Sequence, residues 1–131
     1  MDESGFFRLM HTISEGWNTG DAAKAAACFA EDAVYVEPPD QQVYYGRAAL
    51  YEFFGGAAKP EPPMQMTWHG LAFNQTTQIG FGEYTFQMNC RYHGIVTVQV
   101  AHDLIARWRE YQYSSELEFD AFVGDSRFNL E

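Results

Sequence analysis

The stretch RYHGIVTVQVAHDLIARWREYQY, residues 91–113, decides the fold. Val96, Val98 and Val100 alternate with Thr97 and Gln99, the period of a half-buried strand. His102-Asp103 makes a two-residue connection, and Leu104 to Tyr113 resumes the extended pattern. Two antiparallel strands, Arg91 to Val100 and Leu104 to Tyr113, therefore form a hairpin. In the second, alternation sets Ala106, Trp108, Glu110 and Gln112 on one face, with Ile105, Arg107, Arg109 and Tyr111 on the other.

Upstream, Met64 to Phe73 and Gln78 to Phe86 read as two more strands, joined through Asn74-Gln75-Thr76-Thr77, with a further turn around Gln87 to Cys90. Before Met64 the period is helical. Phe6, Met10, Ile13 and Trp17 make one stripe of an amphipathic helix from about Ser4 to Trp17. Asp21 is placed to cap a second, alanine-rich helix from Ala22 to Phe29. Ala33 to Glu37 is a short strand stopped by Pro38-Pro39, and Arg47 to Phe54 a third helix ended by Gly55-Gly56. Ala57 to Pro63 is a stiff, proline-rich stretch too short to separate domains. Beyond the hairpin, Phe119, Phe122, Val123 and Phe128 mark a short helix or tail, about residues 114–131, that closes over something. Helices first and a meander after argue an α+β domain spanning residues 1–131.

Composition narrows the function classes. Of 131 residues, 18 are Asp or Glu and 8 are Lys or Arg, a formal charge of −10, yet 47% are hydrophobic and 17% aromatic. Such a chain has a core to bury, so its charge is not that of a disordered segment. It lacks the basic face that nucleic acid or an anionic membrane requires. The acidic start leads into no signal-peptide core, so a cytoplasmic location is expected. Cys28 and Cys90 are too few for a disulfide framework, and Cys28 reads as a small buried residue. The histidines lack metal-ligand spacing, so neither a metal nor a cofactor is expected.

Three blocks carry a resemblance: WNTGD (residues 17–21), CFAEDAVY (28–35) and GRAALYEFF (46–54), with IARWREY (105–111) late in the chain. Together they resemble SnoaL-like domains of the nuclear-transport-factor-like superfamily. That group includes ketosteroid isomerase, polyketide cyclases, scytalone dehydratase and limonene epoxide hydrolase. The resemblance implies a cone-shaped, curved mixed or antiparallel sheet wrapped around three N-terminal helices (a cystatin-like α+β roll). It also implies an apolar interior open at one end and a homodimer through the outer sheet face.

By the same resemblance Glu37, just before Pro38, takes the general-base position of ketosteroid isomerase, and Glu110 takes the base position of limonene epoxide hydrolase. The isomerase's oxyanion donors fall on Ile13 and near Val96, which cannot donate, so steroid isomerisation itself is not expected. The hydrolase's second acid and its arginine fall near Val96 and Gly94.

The candidate catalytic residues are thus Glu37 and Glu110 as a proton-transfer pair, assisted by His69. Trp17, Trp68, Glu83, Trp108 and His93 are candidate ligand contacts. Each has a plainer reading. Glu37 could be an exposed strand-end carboxylate, Glu110 the partner of a cross-strand arginine, and His69 and His93 satisfied half-buried histidines. The tryptophans could simply be core. His11 is expected on a helix surface and His102 in a turn. Gly80 and Gly82 mark a bulge or a close backbone approach. The expected function is cofactor-independent acid–base chemistry on a small, apolar, cyclic organic molecule. Simple ligand binding and a dimeric protein-interaction module are the alternatives.

Overall fold

The structure is a computed structural model that describes residues 1–58 and 64–129, so most of the proline-rich stretch lies outside the described residues. Helix α1 (Glu3–Asn18) opens on Asp2, whose side chain accepts from the Gly5 amide, and it buries Phe6, Met10, Ile13 and Trp17. Helix α2 (Ala22–Ala26) is capped by Asp21 as expected but ends early. Cys28 and Phe29 are drawn into the sheet instead, where the Cys28 carbonyl accepts from the Ile105 amide and Phe29 pairs with Ile105. Strand β1 (Phe29–Val36) follows, then a short exposed strand β2 (Val43–Tyr45) that the sequence reading omitted, and helix α3 (Arg47–Phe53). The meander consists of β3 (Gln65–Asn74), β4 (Ile79–Met88), β5 (Cys90–Ala101) and β6 (Leu104–Ser114). A short helix, α4 (Phe119–Val123), and a 3₁₀ turn (Gly124–Ser126) follow.

The six strands form one mixed sheet in the order β2-β1-β6-β5-β4-β3, with β1 parallel to β6 and every other neighbour antiparallel. This is the expected α+β architecture. The hairpin between β5 and β6 turns through His102 and Asp103, both at positive φ (52° and 65°), as a tight two-residue turn requires.

One sheet face meets the helices, with Trp108, Tyr84, Phe6, Phe29, Met10 and Ile13 at its centre. Gly80 and Gly82 serve close approach rather than a bulge. A Cβ at Gly80 would lie 2.3 Å from the Phe6 ring, and one at Gly82 would lie 2.7 Å from the Trp68 ring. Two register shifts matter for side-chain direction. One between Gln99 and Val100 makes Ala106 the extra residue of β6, so Ile105 turns inward and is fully buried, against simple alternation. The other falls at His69, between Trp68 and Gly70.

Candidate functional site

Strands β1 and β6 lie side by side, with Tyr35 paired to Trp108 and Val36 to Arg109. Side chains two residues apart share a face. Tyr35 from β1 and Glu37 just past its end therefore lie on the same side as Trp108 and Glu110 from β6, and the Tyr35 hydroxyl is within reach of both carboxyls. They meet beside a cavity of about 220 Å³ whose wall includes Trp17, Tyr35, Glu37, Phe54, Met66 and Glu110. Phe53, Phe86 and two further methionines complete its apolar lining, and Gln112 adds an amide. No Lys, Arg or His among the described residues lines it.

Glu110 is 3% exposed, and three donors converge on it. The Trp108 indole N–H donates to Oε1 at 2.6 Å, the Tyr35 hydroxyl to Oε1 at 3.0 Å and the Tyr84 hydroxyl to Oε2 at 2.8 Å. Burial first, then the charge of Glu110, pushes both phenols to higher pKa, so they stay neutral donors. An ionised carboxylate offers about four acceptor positions and no donor. Three are filled here, leaving about one for a proton shared with Glu37 or offered by a substrate.

Glu37 has a different balance. Its carboxyl meets the Tyr35 hydroxyl, 3.1 Å from Oε2. That hydroxyl owns one hydrogen and lies within reach of both carboxyl groups. If the hydrogen goes to Glu110, where the other donors also point, Glu37 must carry a proton and donate it to the Tyr35 oxygen or to Glu110. Burial pushes the Glu37 carboxyl up to about 9, reinforced by the neighbouring charge of Glu110 and the hydrogen bond between them. Three donors on Glu110 against one on Glu37 favour Glu37 as the carboxyl that carries a proton.

By the resemblance the arginine of limonene epoxide hydrolase falls near Gly94, and a Cβ at Gly94 would lie 2.6 Å from both the Tyr84 hydroxyl oxygen and the Tyr111 carbonyl oxygen. Glycine at 94 makes the room through which Tyr84 reaches Glu110. Tyr35 as a bridge was missed by the sequence reading, although its place two residues before Glu37 on one strand was the signal. The positions of the isomerase's donors, Ile13 and Val96, are fully buried apolar residues.

The other candidates separate. Trp17 lines the cavity. Trp108 holds Glu110 from behind rather than forming wall, and Trp68 donates to the Met10 carbonyl at 3.0 Å within the core. His69, Glu83 and His93 are brought together, but on the opposite face of the sheet. Glu83 alternates with the buried, inward Tyr84, and His93 with Gly94, so both point outward. They do not join the carboxyl pair.

A hydrogen-bond chain explains the histidines. His93 Nε2 faces the Leu117 carbonyl at 2.8 Å and must donate; its Nδ1 then accepts from Thr85 at 2.8 Å. Thr85 Oγ1 in turn accepts from His69 Nε2 at 2.6 Å. Phe119 stacks on His69 with centroids 3.5 Å apart, and Phe122 packs on His93 at 4.3 Å. This is what the C-terminal segment closes over. Burial, with His93 nearby, lowers the His69 pKa, in keeping with a neutral packing role. His11 and His102 are exposed on a helix and in the turn. Cys28 is buried and its thiol is raised to about 11, which removes it as a nucleophile at neutral pH.

Among the described residues, no helix is long and apolar enough to cross a membrane, and no group of three His, Cys, Asp or Glu is placed to hold a metal ion. No curated protein matches the sequence. Solved structures do match the fold. A cystatin-like protein of unknown function from Methylobium petroleophilum PM1 is 21% identical, covering 91% of this chain and 82% of that one, with a TM-score of 0.77. A putative ketosteroid isomerase from Kribbella flavida is 18% identical over 98% of this chain and 93% of that one, with a TM-score of 0.71. The epoxide hydrolase/cyclase-like enzyme SalBIII, of pyran ring formation in salinomycin, is 18% identical over 86% and 93%, with a TM-score of 0.73. At these identities the likeness shows the cystatin-like, nuclear-transport-factor-like fold alone. The family model of the SnoaL-like domain matches residues 11–108, three quarters of the sequence, and the chain belongs to that family.

Proposed function

We propose that this chain is a general acid–base enzyme acting on a small, neutral, apolar cyclic molecule, with Glu37 as acid and Glu110 as base. The observation that carries the reading is the carboxyl pair joined through the Tyr35 hydroxyl at the wall of an apolar cavity. This reverses the base role that resemblance alone assigned to Glu37. Glu37, holding the proton, delivers it to a substrate oxygen as a bond to that oxygen breaks or its charge grows. Glu110 takes a proton from the attacking water or hydroxyl, or from an acidic C–H. The Tyr35 hydroxyl then passes a proton from Glu110 back to Glu37, restoring the starting state without solvent.

The chemistry suits epoxide opening, ring closure by an internal hydroxyl, or enolisation. SalBIII, with the same fold, is an epoxide hydrolase/cyclase-like enzyme, which supports placing this chain nearest the first two. Steroid isomerisation is not proposed, because Ile13 and Val96 offer no oxyanion donor. The test is turnover of a panel of cyclic epoxides, hydroxy-epoxides, lactones and enones by wild type, Glu37→Gln and Glu110→Gln. Each variant should lose roughly 10²–10⁴-fold in rate, the usual worth of one proton-transfer group. Undiminished turnover in Glu37→Gln contradicts the assignment. Binding without turnover by all three would instead make the cavity a simple ligand site.

We further propose that the chain pairs with a second copy through the outer sheet face. Phe81, Ile95 and Tyr111 stand there 46%, 46% and 52% exposed, next to the part covered by α4. Light scattering should find a dimer that Ile95→Lys reduces to a monomer; a wild-type monomer at the same concentration contradicts this.

A further inference from the structure

The inner face of β6 runs from core to solvent in steps of two residues. Trp108 is 1% exposed and Glu110 3%, whereas Gln112 is exposed. Gln112 also lines the cavity, so it marks the mouth, roughly 7 Å along the strand from Glu110. Its amide is not committed to the protein. The Tyr84 hydroxyl oxygen lies 3.4 Å from Gln112 Oε1, but that hydroxyl has one hydrogen and a closer acceptor, Glu110 at 2.8 Å. The amide nitrogen meets no acceptor among the described residues. Both ends of the amide are therefore open to a bound molecule.

The rest of the wall gives this amide its meaning. Tyr35 is held between the two carboxyls, and the Trp17 indole nitrogen is buried. Phe53, Phe54, Phe86 and three methionines are apolar. Outside the carboxyl pair and Tyr35, Gln112 is thus the one polar side chain among the described residues that the cavity offers to a ligand. A molecule with its reacting atoms at Glu37 and Glu110 lies against apolar wall and reaches Gln112 at its outer end. An amide both donates and accepts. Turned either way, it suits a hydroxyl, which accepts from the N–H or donates to the carbonyl. An ether or carbonyl oxygen is met only by the amide nitrogen, an ammonium group only by the amide oxygen, and an anion is repelled by Glu110.

We propose that Gln112 is a specificity residue that binds a hydroxyl group of the substrate at the cavity mouth. This rests on the acid–base reading and deepens it by naming the substrate class: a small cyclic alcohol with its hydroxyl at Gln112 and its reacting atoms at Glu37 and Glu110. The held hydroxyl stays intact. Gln112 discriminates by one hydrogen bond and moves no proton.

The experiment compares benzyl alcohol with ethylbenzene, which has nearly the same shape but carries CH₃ in place of the hydroxyl. In ¹³C,¹⁵N-labelled protein, triple-resonance spectra assign the Gln112 side-chain amide. Benzyl alcohol should shift its signals downfield in a saturable manner, and ethylbenzene should not. Gln112→Met keeps the length of the side chain and removes the amide. It should bind benzyl alcohol about three- to tenfold more weakly, the worth of one neutral hydrogen bond, with ethylbenzene not weakened.

Equal weakening of both probes, a Gln112 amide that benzyl alcohol leaves unmoved, or no binding of benzyl alcohol to wild type overturns the proposal. The wild-type titration decides even if Gln112→Met does not fold. Turnover of cyclic epoxides with and without a ring hydroxyl separates the two readings. A Gln112 shift with no wild-type turnover refutes only the acid–base reading; turnover indifferent to the ring hydroxyl, with the amide unmoved, refutes only this one.

Discussion

Replacing Glu37 by glutamine keeps the shape of a protonated carboxyl and its ability to donate to Tyr35, but removes the group that can lose a proton. The native carboxyl is raised from 4.5 to about 9, burial being the larger cause and Glu110 the next. Between those two values the folded chain holds a proton that the unfolded chain has released. Stability from this group is fully present below about pH 4.5 and is lost as pH rises through about 9. The slope is at most about 1.4 kcal/mol per pH unit. His69 is lowered below its ordinary value, so its contribution runs the other way and is complete by about pH 6.5. From pH 7 to 8.5 the wild-type stability measured against Glu37→Gln should therefore fall by about 2 kcal/mol, less if water screens this half-buried group. Urea unfolding of both proteins at half-unit steps measures the difference, and repulsion from the −10 net charge largely cancels in it. Parallel profiles for the two proteins would refute the raised carboxyl and, with it, Glu37 as the acid.

Other perturbations follow from the same geometry. Glu110→Ala strands the donors of Tyr35, Tyr84 and Trp108 and should cost about 3–5 kcal/mol in urea unfolding; a loss under 1 kcal/mol would contradict the buried network. Tyr84→Phe removes the hydroxyl that donates to Glu110 and should lower turnover at least tenfold in a folded protein, an effect absent if Tyr84 does not support Glu110. Gly80→Ala drives a methyl group into Phe6, which stacks on Phe73 at 4.6 Å, and should destabilise by about 1–3 kcal/mol without altering the pH profile.

The sequence made the fold legible wherever one period ran long enough. The stripe from Phe6 to Trp17 and the alternation from Val96 to Val100 both fold as read, and so does the His102-Asp103 turn. Strand β2 escaped because three largely exposed residues carry no period. Helix α2 was read too long because pairing of Phe29 with Ile105 overrides local helix preference.

In the site, Glu37 and Glu110 meet because residues at period two on neighbouring strands share a face. The sequence could not say which of them keeps the proton. That depends on three donors, from β1, β4 and β6, choosing one carboxyl over the other, and strand register sets their approach. The outward direction of His69, Glu83 and His93 likewise rests on register, and on a bulge at His69.

The central claim is that the pair holds a single proton, on Glu37. ¹³C NMR of the glutamate side-chain carboxyl carbons, compared between wild type and Glu37→Gln, tests it most directly. At pH 7 the account predicts one protonated glutamate signal that disappears in Glu37→Gln and titrates only toward pH 9 in wild type. A wild-type spectrum in which every glutamate is ionised at pH 7 would contradict it.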